Sequence, residues 1–139
     1  MRTFMPLLVA LVLAFGWNSA SAASSRHHNY AADSQTVYMS TRASLAHLRF
    51  HITSGSMSEG VIEAYRVTDG PGGSRRLTLN VRIRDGLGGG SDLVLQMSEV
   101  AADASGNPVP SAKAGSPTDK SIADSIFQDV ENQLGNMRR

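Results

Sequence analysis

The four histidines are the residues of this sequence best suited to metal binding: His27, His28, His47 and His51. His47 and His51 have the spacing of two metal ligands on one helical face. However, the helix that contains His47 is predicted to end before His51, and no glutamate follows His47 as metalloproteases require. His27 and His28 would suit square-planar copper or nickel only if the mature chain began at Ser25. We therefore predict no metal site and no cofactor.

The segment 85–91, DGLGGGS, has the glycine content of a phosphate-binding loop. Such loops join a strand to a helix whose N-terminal amides hold the anion, whereas a second strand-like segment follows here. The sequence contains no cysteine, and no serine lies in a Gly-x-Ser-x-Gly motif. No two carboxylates are set in an apolar segment as acid and base. We predict a flexible turn at 85–91 and a protein that is not an enzyme.

The segment 75–100 predicts a β-hairpin. RRLTLNVRIRD and SDLVLQMSEV alternate apolar and polar residues with period two on either side of the glycine-rich turn. A shift by one residue would move every side chain to the other face, so the pattern predicts the register as well as the strands. The expected pairs are Ile83 with Leu93, Val81 with Leu95 and Leu79 with Met97 on the apolar face, and Arg84 with Asp92, Asn80 with Gln96 and Thr78 with Ser98 on the polar face.

A helix and a second hairpin are predicted before this one. Asp33 or Ser34 is suited to cap a helix that continues to Leu48, although the β-branched and aromatic residues at 36–39 also permit a strand there. From Leu48 the pattern changes to period two, 54–60 forms a turn, and 61–68 returns as a strand. Pairing about Met57 sets side by side Ile52 and Ile62, Phe50 and Ala64, His51 and Glu63, and Arg49 and Tyr65.

The last part of the chain predicts a long loop and a closing helix. Residues 101–117 are rich in Pro, Gly, Ser and Ala, with a turn at Ser105-Gly106 and a short edge strand at 107–109. Thr118 or Asp119 is suited to cap the helix, and Gly135 to end it. Its apolar stripe consists of Ile122, Ile126, Val130, Leu134 and Met137.

The first residues predict export. A basic start, an apolar run from Phe4 to Trp17 and the small residues of Ala20-Ser21-Ala22 form a signal peptide, residues 1–22, cleaved after Ala22. Residues 23–32 are small and polar and predict a flexible leader. Without a cysteine there is no lipid anchor, so we expect a periplasmic or secreted protein with no stable membrane anchor. The near-neutral charge, +1 overall, argues against nucleic acid as a partner.

These elements assemble into one α+β domain over residues 33–139. We predict a two-layer sandwich, in which a four-stranded antiparallel sheet carries the N- and C-terminal helices packed on one face. The other face is predicted to be open, and to meet an envelope protein partner or a second copy of the chain. The residues that we assign to this partner site are Arg49, His51, Glu63, Tyr65, Arg82 and Arg84.

The order of elements also resembles a group of known proteins. The segment ASLAHLRFHITSGSMSEGVIEAYRV, the second hairpin and the closing SIADSIFQDVENQL resemble small exported or lipid-anchored bacterial envelope domains of unknown function. The chain departs from the lipid-anchored members by lacking their cysteine. The resemblance implies a non-enzymatic, periplasmic accessory role.

Two other functions compete with this binding module. A small-ligand carrier would hold its ligand between the helices and the sheet, and needs a cavity there, whereas the predicted core side chains suffice to fill the layer. A hydrolase needs a polar constellation in a cleft, which the sequence does not assemble.

Overall fold

The computed structural model describes residues 24–137, so the predicted signal peptide lies outside the described residues. The fold belongs to the α+β class, as predicted. In chain order the elements are β1 (Ser24–Tyr30), α1 (Ser34–His47), β2 (His51–Ser56), β3 (Val61–Gly70), β4 (Gly73–Asp85), a short 3-10 turn (Leu87–Gly89), β5 (Ser91–Ala101) and α2 (Ile122–Met137).

The sheet is antiparallel and has five strands in the order β1-β5-β4-β3-β2, so the predicted count of four is wrong. The extra strand is β1, which lies in the segment predicted as a flexible leader and pairs with β5 from Ser24↔Met97 to Tyr30↔Ser91. Its sequence shows no apolar alternation because its inward side chains meet the flank of α2. Arg26 Nη2 lies 2.9 Å from Asp124 Oδ1, and the Tyr30 hydroxyl donates to a backbone carbonyl of α2.

The predicted register of the central hairpin is confirmed at all six pairs. Ile83 lies opposite Leu93, and Arg84 opposite Asp92. The remaining four pairs are Val81↔Leu95, Leu79↔Met97, Asn80↔Gln96 and Thr78↔Ser98.

The predicted register of the first hairpin is wrong. His51 pairs with Tyr65 and Ile52 with Ala64, two residues away from the expected partners, and a bulge at Thr53 shifts the pairing again. The turn is centred later than Met57, with Gly60 in the left-handed region at φ 67°. Up to the bulge, the slip of two residues leaves His51 and Ile52 on the faces that were predicted, so apolar alternation alone does not distinguish the two registers there. Beyond the bulge the slip is odd, and Ser54 lies on the face of Glu63.

The first helix begins as predicted and the second begins later. The Asp33 carboxylate accepts the Thr36 amide at 2.7 Å, which caps α1. α2 begins at Ile122 rather than after Thr118 or Asp119. The Asp119 carboxylate instead accepts the amide and hydroxyl of Ser121, in a turn ahead of the helix. Gly135 lies inside α2 and does not end it.

Both helices contribute to one core with the same face of the sheet. Strand β4 supplies Leu77, Leu79, Val81 and Ile83, and the stripe predicted for α2 is buried except at Met137, which is 47% exposed. The helices cross where α1 presents small residues. The Ser40 hydroxyl contacts Met137 Sδ at 3.3 Å, and His47 Nδ1 lies 2.8 Å from Asp129 Oδ1.

The buried carboxylate of Glu99 fastens the long loop to the sheet. Its Oε1 accepts Arg75 Nε at 2.6 Å and the Thr118 hydroxyl at 2.6 Å, and the Thr118 amide lies at 3.2 Å. Glu99 and Gly115 also exchange backbone hydrogen bonds. Burial raises the pKa of Glu99, but the hydrogen bonds from Thr118 and Arg75 outweigh burial and leave the pKa below its ordinary value.

We predict that Glu99→Gln destabilises the protein at neutral pH, by about 1–3 kcal/mol, because it removes charge-assisted hydrogen bonds to a buried acceptor. A carboxyl whose pKa is lowered by folding adds stability above its unfolded pKa and loses it as the pH falls through its folded pKa. The difference between wild type and variant should therefore shrink below about pH 4. Urea unfolding at several pH values measures it. Glu59→Gln, on an exposed turn, is the control, and equal losses in both variants would contradict the role of Glu99.

We predict that Tyr30→Phe destabilises the protein by about 1 kcal/mol, because the buried Tyr30 hydroxyl donates to the Phe127 carbonyl at 2.9 Å. Burial, with Glu131 adding to it, also raises the pKa of this phenol. Thermal unfolding checks the loss. Tyr38→Phe is a matched control, because the contact of the Tyr38 hydroxyl with Arg42 is long, 3.5 Å, and should contribute little. A Tyr30→Phe variant as stable as wild type would show that β1 is not fastened to α2 in this way.

Candidate functional site

The sheet face opposite the helices is polar and accessible, and we call it the open face. Successive side chains of a strand point to opposite faces, so every second residue of each strand has its side chain on the open face. Glu63, Asn80, Arg82 and Arg84 are exposed, and Tyr65 and Gln96 are half-buried. The open face is defined here by His51, Glu63, Tyr65, Arg76, Thr78, Asn80, Arg82, Arg84, Asp92 and Gln96.

Three of these side chains form a stack across strands β2, β3 and β4. The His51 and Tyr65 rings lie with their centroids 5.2 Å apart, and the Arg76 guanidinium carbon lies 3.7 Å from the centre of the Tyr65 ring. Arg76 Nη1 also donates to the Gly106 carbonyl at 3.2 Å, which ties the stack to the long loop. The cation over the ring and this hydrogen bond restrict the rotamers of the stack before any partner arrives.

The structure brings three of the six predicted partner residues together. Arg49, His51 and Tyr65 line an open depression of about 680 Å³ at the end of β2, which we call the end depression. The prediction that Arg49 lies opposite Tyr65 is wrong, because His51 occupies that position. Arg49 lies between α1 and β2 in the left-handed region, φ 68°, and reaches the depression from its rim.

Two more of the six lie in the middle of the open face. Glu63 and Arg82 line a shallower depression of about 250 Å³ together with Asn80 and Gln96. The Glu63 carboxylate accepts the hydroxyl of Ser54, its partner across the ladder, at 3.3 Å, so the predicted pairing of His51 with Glu63 is wrong.

The sixth predicted residue lies at the far end of the open face. Arg84 pairs with Asp92 near the tip of the central hairpin. Five of the six residues therefore lie on the open face, in two clusters and one outlying position, and Arg49 lies at its rim.

The sequence analysis missed the roles of two arginines. Arg76 lies next to Leu77 in the alternating pattern, so its position on the open face was available from the sequence, but its contact with Tyr65 depends on the β3–β4 register. Arg66 lies on the apolar face, where an arginine is unexpected. It stacks on the Phe50 ring at 4.8 Å and donates to the Leu48 carbonyl at 3.1 Å.

Of the clefts between α2 and the sheet, two include several apolar side chains. One, of about 180 Å³, has an apolar floor of Met97, Pro117 and Ala123 and a rim that includes Arg26 and Lys120. The other, of about 120 Å³, lies among side chains at the opposite edge of the sheet and is lined by Leu48, Phe50, Arg66, Asp119, Ile122, Ser125 and Ile126.

Ser44, His47 and Asp129, the residue types of a serine hydrolase triad, lie near the contact of the two helices but are not arranged as a catalytic triad. His47 Nδ1 contacts Asp129 Oδ1, and Ser44 precedes His47 by one helical turn. Ser44 is fully buried, and its hydroxyl makes no hydrogen bond to His47 or to any other group in residues 24–137. A nucleophile must hydrogen-bond to its base and be reachable by the substrate, and the buried Ser44 hydroxyl meets neither requirement.

Within residues 24–137, no three His, Asp or Glu side chains are placed to share a metal ion. Neither helix of that part is long and apolar enough to cross a bilayer.

Comparison with known proteins leaves the family of this chain open. No family model matches the sequence, and no curated protein matches it. Twenty chains of solved structures match, among them the crystal structure of Ara h 8.0201, with 11% identity and a TM-score of 0.41. That match covers 82% of this chain and 97% of the other. The similarity is too low to transfer any property.

Proposed function

We propose that this protein is a non-enzymatic binding module of the bacterial cell envelope that meets a protein partner, or a second copy of itself, through the open face. The observation that supports it best is the stack of His51, Tyr65 and Arg76. Tyr and Arg are the residue types that supply much of the energy of protein interfaces, and here their rotamers are ordered in advance.

The charges around the stack suit a specific partner rather than a general anion. Arg82 and Arg84 are exposed, while Glu63 and Asp92 lie on the same face and keep its charge mixed. Mixed charge favours a partner with a complementary pattern, and gives little attraction to a uniformly anionic polymer.

The carrier alternative is favoured by the apolar cleft beside Met97 and Ala123. Its volume, about 180 Å³, is below the roughly 300–1,000 Å³ of ordinary ligand pockets. A small aromatic molecule would fit it, since a cavity of about 150 Å³ holds benzene. The binding module therefore remains our first proposal.

We predict that the protein recovered from a periplasmic fraction begins at Ala23, because cleavage after Ala22 follows the small residues that a signal peptidase requires. Native mass spectrometry of that fraction measures the N-terminus, the oligomeric state and any retained ligand together. A cytoplasmic protein that keeps residues 1–22 would contradict the envelope role. A retained small molecule would make the carrier the leading hypothesis.

We predict that Tyr65→Ala and Arg82→Glu each weaken capture of the partner, or self-association, at least about tenfold, the effect of losing one interface residue of this type. Photo-crosslinking from the exposed position 80 of the open face in cells, with capture by each variant, measures the effect. Lys113→Glu is the matched control, because it reverses an exposed charge on the long loop. Each variant's thermal unfolding should resemble that of wild type. Full capture by both open-face variants would contradict the proposal.

A further inference from the structure

Strand β3 is longer than the neighbour that covers its outer edge. β3 extends from Val61 to Gly70, and β4 pairs with its whole length. The pairing with β2 ends at His51↔Tyr65. Within residues 24–137, the edge of β3 beyond Tyr65 therefore has no strand beside it.

The direction of the ladder shows which backbone groups this edge presents. The Ile83 amide donates to the Gly60 carbonyl at 2.7 Å, at the start of the β3–β4 pairing. Because hydrogen-bonded positions alternate along an antiparallel strand, the even-numbered residues of β3 bond to β4 and the odd-numbered ones face the other way. In keeping with this, the Glu63 carbonyl faces β2 and accepts the Thr53 side-chain hydroxyl at 3.2 Å. Beyond β2, the N–H and C=O groups that face outward belong to Val67 and Asp69.

This edge opens into the end depression, which Val67 and Asp69 line together with Arg49, His51 and Arg66. The chain leaves the line of β2 at Arg49, whose conformation is left-handed and whose amide donates to the Ala46 carbonyl of α1 at 3.1 Å. The Asp69 carboxylate is engaged by the Ser74 hydroxyl. Asp69 lies toward the far end of β3, so the formal charges at the end nearest β2 are those of Arg49 and Arg66.

We infer that the C-terminal tail of a partner protein binds here as an added strand, antiparallel to β3, with its terminal carboxylate at Arg49. A strand antiparallel to β3 runs in the direction of β2, so its C-terminal end reaches the start of β2, where Arg49 and His51 lie. Strand addition supplies affinity through backbone hydrogen bonds, and the cation selects the carboxylate. This inference rests on the proposed function and names the class of its partner.

The test is a titration of the ¹⁵N-labelled protein, residues 23–139, with the peptide acetyl-Ser-Thr-Val-Thr-Val. We expect amide shifts at Val67 and Asp69 at peptide concentrations up to about 5 mM, where a few backbone hydrogen bonds give measurable binding. The same peptide with a C-terminal amide should bind about fivefold or more weakly, because its contact with Arg49 is no longer charge-assisted.

Two variants separate the contribution of the β3 edge from that of the Arg49 charge. Val67→Pro removes an edge N–H while leaving the bonds to β4, and should abolish binding of both peptides. Arg49→Ala keeps the edge, and should bind the acid peptide no better than the amide. Because Arg49→Ala changes only a side chain at the rim, it keeps the inference falsifiable if Val67→Pro does not fold. Lys113→Ala should bind as wild type does.

The possible results distinguish this inference from the proposed function. If neither peptide shifts Val67 and Asp69, or if the acid and amide bind equally, the carboxylate-terminated strand is overturned. Loss of partner capture by Arg82→Glu would still support the open face in that case, because Arg82 lies outside the end depression. Acid-selective binding with unaffected capture by Arg82→Glu and Tyr65→Ala would instead support the edge and contradict the open face.

Discussion

The pairing of β4 along both of its edges is the interaction on which the rest of the structure depends. β4 is the longest strand, with 13 residues, and lies in the middle of the sheet between β3 and β5. One of its faces supplies Leu77, Leu79, Val81 and Ile83 to the core, and the other supplies Arg76 and Arg82 to the open face. Because alternation fixes both faces at once, the strand that builds the core also places the candidate site.

One face of the sheet is buried and the other is accessible, because both helices pack on the same face. α1 and α2 bury the apolar face, and α2 also holds the edge strand β1 through Tyr30 and Arg26. The long loop is fastened by Glu99 at one end of the sheet and touches the stack through Gly106. Order in the candidate site therefore depends on packing remote from it, while most of the open face stays accessible.

The end depression results from two strands of unequal length. Helix α1 must cross the apolar face, so the chain leaves the line of β2 at Arg49 and uncovers the edge of β3 beyond Tyr65. Sheet edges commonly carry charge, which limits unspecific pairing. Here Arg49 and Arg66 line the depression beside that edge.

The sequence by itself determined the α+β class, the central hairpin with its register, helix α1 and the faces on which His51, Tyr65, Arg82 and Arg84 lie, because period two and helical spacing are local properties of the chain. Tertiary structure alone decided that residues 24–30 form a strand, that the first hairpin is shifted and carries a bulge, and that Arg76 stacks on Tyr65. Each of these depends on contacts between segments distant in sequence. The alternation of apolar residues does not reveal a polar edge strand that a helix holds in place. It also does not reveal a slip of two residues, which keeps His51 and Ile52 on the same faces of the sheet.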